Sequence, residues 1–181
     1  SGTASQFNMY WDAAAGKAVI EPGVPYTGVA PSSASPAIGR QLEDGIYQIK
    51  ASKAENYVID VSGASLEDGA KLILYRNGNQ NNQKFNITNV GDDQYTIQSV
   101  HSGLYWTSPG TKGGQLVQSG SSTDGNARFT IAKQADGTWR IKDGAGLYVG
   151  ISAAKLENGT HIILWTEASD ASQAYRIEMT D

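Results

Sequence analysis

Ala64-Ser65-Leu66-Glu67-Asp68-Gly69 returns as Ala154-Lys155-Leu156-Glu157-Asn158-Gly159, and the correspondence continues in register. Ile73-Leu74-Tyr75 aligns with Ile163-Leu164-Trp165, and Gln83-x-Phe85-x-Ile87 with Gln173-x-Tyr175-x-Ile177. A third copy lies between the two. Phe85 and Ile87 recur as Phe129 and Ile131, and Gly103-Leu104-Tyr105 matches Gly146-Leu147-Tyr148. Each copy opens alike, with Tyr47-x-Ile49, Tyr95-x-Ile97 and Trp139-x-Ile141. The copies run over about 44–91, 92–135 and 136–181.

Within each copy the apolar residues alternate with polar ones. Tyr47, Ile49 and Ala51 fall on one face of an extended segment, as do Phe85 and Ile87. Turn dipeptides punctuate the chain at Asp44-Gly45, Asn77-Gly78, Asp136-Gly137 and Asn158-Gly159. No helical stripe is sustained anywhere. The pattern predicts about twelve short strands, four to a copy. One such unit cannot bury its apolar face, whereas three around a pseudo-axis close a barrel and cap it with hairpins. The expected fold is therefore all-β, a β-trefoil over 42–181.

The N-terminal 41 residues differ in texture. They hold four of the five prolines, Pro22, Pro25, Pro31 and Pro36. Gln6–Trp11 and Lys17–Ile20 flank an Ala-rich turn and fit a short hairpin, and Val29–Ser35 reads as linker. Residues 1–41 are thus expected to be an extension or linker. The start at Ser1-Gly2 suits a processed or engineered terminus.

Composition narrows function. The 181 residues carry a formal charge of −4, and Lys and Arg are scattered rather than gathered into a basic stripe, which argues against nucleic acid. No apolar run approaches the length of a membrane span, so membrane insertion is not expected. Cysteine is absent, which removes disulfides, thiolate metal sites and cysteine nucleophiles. The two histidines, His101 and His161, have no ligand spacing, and Asp92-Asp93 and Glu67-Asp68 lack the pattern of a calcium loop. No metal, cofactor or catalytic residue is expected.

The repeats resemble those of the ricin B-chain-like trefoil lectins and related carbohydrate-binding modules. The resemblance rests on Gly45-x-Tyr47-x-Ile49, Val58-Ile59-Asp60-Val61, Gly69, Leu74-Tyr75 and the closing Gln83-Lys84-Phe85, in that order. Where that family closes each repeat with Gln-x-Trp, this chain has Phe85, Phe129 and Tyr175 in place of the Trp, and Ala127 in place of the middle Gln. The resemblance implies a sugar site made of an Asp on the second strand, an aromatic at the end of the third, and an Asn before the closing Gln. Such a set suits a saccharide, because a carboxylate accepts strongly from paired hydroxyls and a flat ring covers a C–H face.

Only the first repeat has the whole set, in Asp60, Tyr75, Asn82 and Gln83. Asp60 is expected to take two hydroxyls, Asn82 to donate to one, Tyr75 to stack, and Gln83 to brace Asp60. Ile73, two residues before the aromatic, stands where the family often has a polar side chain. The middle repeat has Thr107 and Ser119 at the acid and ring positions and keeps Asn126. The third keeps Trp165 and Gln173 but has Gly150 and Ser172, leaving Trp165 as a secondary stacking surface. The implied function is non-catalytic glycan binding by an extracellular or cell-surface module, with 1–41 suited to tethering a catalytic or adhesin domain. The alternative is a trefoil that binds proteins or inhibits proteases through its loops.

Overall fold

In the computed structural model the described residues are Phe7–Asp12, Ala14, Gly16–Pro22 and Gln41–Asp181. The chain divides into two units, Ser1–Ile38 and Gly39–Asp181. In the first, β1 (Phe7–Asp12) pairs antiparallel with β2 (Lys17–Pro22). The Val29–Ser35 linker reading falls outside the described residues.

The second unit holds twelve strands and, among the described residues, no α-helix. The first repeat supplies β3 (Gly45–Ala51), β4 (Ala54–Val61), β5 (Leu72–Arg76) and β6 (Phe85–Gly91). The second supplies β7 (Gln94–Ser99), β8 (Tyr105–Thr107), β9 (Val117–Ser119) and β10 (Phe129–Lys133). The third supplies β11 (Trp139–Asp143), β12 (Tyr148–Ile151), β13 (Ile162–Trp165) and β14 (Tyr175–Met179). First and last strands of the repeats pair in a closed ring, β3-β6-β7-β10-β11-β14 and back to β3. The middle strands form three hairpins, β4-β5, β8-β9 and β12-β13. This is a β-trefoil.

The ring closes because each barrel strand carries an aromatic residue followed two positions later by Ile. Within a repeat the aromatics stand opposite one another, as Tyr47–Phe85, Tyr95–Phe129 and Trp139–Tyr175. Between repeats the isoleucines do, as Ile87–Ile97, Ile131–Ile141 and Ile49–Ile177. All twelve are buried. Trp106 fills the hairpin end, edge-on to Phe85 and Phe129 with ring centroids 5.2 and 6.1 Å away.

The hairpins meet on the pseudo-threefold axis through a cyclic set of bridges, Lys71–Val117, Gln115–Ile163 and His161–Ile73. There the Gln115 Nε2 donates to three carbonyls in equivalent positions, Leu72 at 2.9 Å, Leu116 at 2.8 Å and Ile162 at 2.9 Å. One atom equidistant from three equivalent carbonyls lies on the axis itself. Replacing it by an apolar side chain removes that shared donor, although the Leu116 and Ile162 carbonyls keep backbone N–H partners. Gln115→Leu is expected to lower stability by about 1–2 kcal/mol in urea denaturation, with the slope of the transition unchanged.

After β4 and β12 the chain turns through paired left-handed residues. They are Gly63 (φ 64°) and Ala64 (φ 50°) in the first repeat, Ala153 (φ 52°) and Ala154 (φ 53°) in the third. Glycine adopts this region freely, while a Cβ meets the following carbonyl at a cost of about 1–2 kcal/mol. Ala153→Gly should therefore raise the melting temperature by about 2–4 °C, measured calorimetrically.

Candidate functional site

Strand register fixes which residues are equivalent. Asp60 faces Ile73, Thr107 faces Val117 and Gly150 faces Ile163 across their hairpins. One step along, Tyr75 faces Val58, Ser119 faces Tyr105 and Trp165 faces Tyr148. Each hairpin is followed by a single 3-10 turn, Asn81–Gln83, Gly125–Ala127 or Ala171–Gln173. The acid, ring and amide positions of the three repeats are thus superposable by backbone pairing alone.

In the first repeat, Asp60, Tyr75, Asn82 and Gln83 line one open cleft of about 350 Å³, together with Ser62, Gly63, Ala64, Ile73, Arg76, Gly78 and Gln80. Asp60 forms its floor and is only 4% exposed, while Tyr75 stands on its wall at 43%. Gln83 braces the Asp60 carboxylate. Its Nε2 donates to Asp60 Oδ2 and to the Arg76 carbonyl, both at 2.9 Å, and its Oε1 accepts from the Gly78 N–H at 2.8 Å. Gln83 is 3% exposed and acts on the carboxylate rather than on the open space. Asn82 is buried too, with one N–H given to the Val61 carbonyl at 3.2 Å. Part of the donor capacity expected to face a hydroxyl therefore serves the end of β4. Ile73 is buried and adds an apolar surface to the cleft.

Burial pushes the Asp60 carboxyl up to about 6, against the opposing pull of hydrogen bonds from Gln83 and Asn82 and of the nearby His101. His101 belongs to the turn after β7 and places its Nε2 2.8 Å from the Ser65 carbonyl, joining the second repeat to the loop that rims the cleft.

In the third repeat, Trp165 lines a cleft of about 460 Å³ with Gly150, Ile151, Ser152, Ala153, Ala154, Ile163, Ala168, Asp170, Ser172 and Gln173. Trp165 is 43% exposed, as Tyr75 is, and Lys112 Nζ lies 4.5 Å from its ring centre. Gln173 repeats the brace, with Nε2 donating to the Thr166 carbonyl at 2.8 Å and Oε1 accepting from the Ala168 N–H at 2.9 Å. It has no carboxylate to hold, because Gly150 stands there. A carboxylate absent from the sequence reading, Asp170, enters this cleft from the loop instead, accepting from the Ser172 N–H at 2.9 Å. Its signal was present as Asp-x-Ser ahead of a turn, matched by Asp124-x-Asn126, where Asp124 accepts from the Asn126 N–H at 3.0 Å. In the middle repeat, Thr107 turns its hydroxyl to the Tyr105 carbonyl at 3.1 Å. Among the described residues, no group of three or more His, Asp or Glu side chains is placed to hold a metal ion.

The profile of the family described as ricin-type β-trefoil lectin domain-like matches residues 37–112 and 81–165, more than half of the chain. The chain belongs to the ricin-type β-trefoil lectin domain-like family. No curated protein sequence matches it. Its fold is similar to that of the designed 3-fold symmetric protein ThreeFoil, at a TM-score of 0.71 and 24% identity, covering 74% of this chain and 98% of the other. The Macrolepiota procera ricin B-like lectin, solved with lactose, is similar at a TM-score of 0.67 and 24% identity, covering 77% and 99%. A mosquitocidal holotoxin is similar at 0.73 and 23%, covering 77% of this chain but 18% of the toxin. At these identities the likeness shows the fold.

The elevated Asp60 carboxyl sets a pH signature. The unfolded chain releases this proton near pH 3.9 and the folded chain near pH 6, so the folded state holds more protons between them. Stability should fall as pH rises from about 4 to about 6 and then level, this group's share reduced by the screening its open cleft allows. The difference in unfolding free energy between the wild type and Asp60→Asn, followed by denaturation from pH 4 to 8, isolates that slope.

Proposed function

We propose that the first-repeat cleft binds a saccharide without transforming it. The observation that carries this reading is the convergence of a buried, braced carboxylate and a half-exposed ring on one open concavity. Asp60 accepts from a pair of vicinal hydroxyls at the floor, and Tyr75 covers a C–H face from the wall. Gln83 fixes the carboxylate, so little conformational freedom is lost on binding. Membership of a lectin-like family supports the same ligand class. Asp60 is the sole carboxylate among the residues lining this cleft, whereas glycoside hydrolysis uses two flanking the bond.

Three or four hydrogen bonds at about 1 kcal/mol each, with about 1 kcal/mol from stacking, give roughly millimolar affinity. Useful avidity then comes from several copies or from tethering. A module role in a secreted or surface protein, joined through residues 1–41 to a catalytic or adhesin domain, suits that weakness. The third-repeat cleft offers Trp165 as a further stacking surface.

Binding to an immobilised glycan array should fall about tenfold or more in Asp60→Asn and about fivefold in Tyr75→Ala, both variants keeping the wild-type circular dichroism. Because the acceptor is the ionised form, wild-type binding should also weaken as pH drops through about 6. Glycan binding that survives Asp60→Asn at all pH values would exclude this site. A trefoil acting on proteins would instead show no glycan signal and lose its partner on loop substitution.

A further inference from the structure

We infer that the first-repeat cleft is built for an anionic saccharide, one whose ring carries a carboxylate or a sulfate ester. The inference rests on the saccharide-binding reading of that cleft and specifies its substrate class. Three equivalent clefts or their remnants can be compared within this one chain, and the first differs from the others at two rim positions in the same electrostatic direction.

The first position follows the stacking residue. Arg76 lines the first cleft, whereas the equivalent Thr166 does not line the third and the middle repeat has Gly120 there. The Arg76 and Thr166 carbonyls make the same hydrogen bond to the bracing glutamine, so the difference lies in the side chain. Arg76 is exposed, and among the described residues no carboxylate pairs with its guanidinium. Its backbone is held, with the N–H donating to Asn158 Oδ1 at 2.8 Å.

The second position precedes the 3-10 turn. Asp124 and Asp170 each cap that turn by accepting from the backbone N–H two residues on. The first repeat has Gln80, which makes no such bond. Such a capping hydrogen bond stabilises the turn, and the first repeat forgoes it. At these two positions the first repeat carries Arg76 and Gln80 where the third carries Thr166 and Asp170 and the middle Gly120 and Asp124, a difference of one added cation and one acid fewer. The third cleft differs at both positions, with Asp170 among its lining residues; its cations act elsewhere, Lys112 over the Trp165 ring and Arg140 on the Gln173 and Ala168 oxygens.

Inside the first cleft the remaining charge is Asp60, buried at the floor and braced by Gln83. An anionic group of the ligand is repelled from that floor and drawn to the rim. Hydroxyls therefore go to Asp60 and the acidic substituent to Arg76, which orients the ring across Tyr75. Guanidinium presents paired donors that match both carboxylate and sulfate oxygens.

The test is a glycan array holding neutral oligosaccharides beside their sulfated and their uronate- or sialate-bearing counterparts, probed with the full chain as wild type, Arg76→Gln and Asp60→Asn at 50 and 500 mM salt. Wild type should favour anionic over neutral counterparts by about 5- to 10-fold at low salt, the ratio shrinking at high salt. In Arg76→Gln the ratio should collapse toward one. Preference for sulfate alone or for carboxylate alone tells the two sources apart, and either supports the inference. A ratio at or below one in wild type, or one unmoved by Arg76→Gln, overturns it while leaving the saccharide site intact. Absence of all glycan binding, or binding unchanged in Asp60→Asn, overturns the underlying site and the inference with it.

Discussion

Closure of the six-stranded barrel is the constraint on which everything else in the second unit depends. Aromatic pairs fasten the two barrel strands of each repeat, and isoleucine pairs fasten each repeat to the next. An open sheet of these strands would leave two edges and half of its apolar residues in water. Closure removes both, and it works only if all three repeats keep the same aromatic-x-Ile spacing on their first and last strands. The hairpins carry no such obligation. Their backbone bonds at the axis hold whatever side chains they bear, since the donors and acceptors there belong to the main chain, helped by the Gln115 amide. The barrel is therefore uniform while the hairpin tips diverge.

Divergence at the tips follows a physical order. The glutamine brace persists in the first and third repeats although only the first has a carboxylate to hold, because its bonds to two backbone groups stabilise the turn regardless. Gln83 and Gln173 are thus structural first, and Asp60 exploits a donor already in place. The third hairpin pairs in full with Gly150 in place of the acid, and a Cβ there would meet Gln173 Cγ at 3.5 Å, an ordinary contact, so the backbone leaves room for a side chain without needing one. In the middle repeat the brace itself is gone, with Ala127 fully buried in its stead, and Trp106 takes the space of the smaller Ile59 and Val149.

How much of this was legible depends on whether a feature obeys a period. The aromatic-x-Ile pairs repeat six times in strict alternation, so barrel strands and core were readable directly. Because the repeats align in register, the equivalence of Asp60, Thr107 and Gly150 was readable as well, as was the convergence of Asp60, Tyr75, Asn82 and Gln83. What escaped lies in irregular backbone. Gln80 and Asp170 occupy the stretches between a strand and a 3-10 turn, where direction is set by local turns rather than by alternation, and Arg76 is the final residue of β5, where the alternation ends. The left-handed Ala153 and Ala154 were equally silent, because alanine advertises no turn. The place of Asn82 beside Asp60 in the cleft was readable, but its commitment to the Val61 carbonyl was not, since that bond spans the whole hairpin.

Asp60 brings the two halves of the argument together. A carboxylate at 4% exposure costs stability at neutral pH, and a glycine at the equivalent place in the third repeat shows that the hairpin forms without it. Nothing in the barrel requires the acid. Its hydrogen bonds to Gln83 and Asn82 offset part of the desolvation without cancelling it, since the carboxyl remains raised. A buried charge left short of partners, at the floor of a cleft open to water, retains acceptor capacity for donors arriving from outside. The same incomplete satisfaction that destabilises the first repeat leaves its cleft with an acceptor that the third-repeat cleft lacks at the equivalent Gly150.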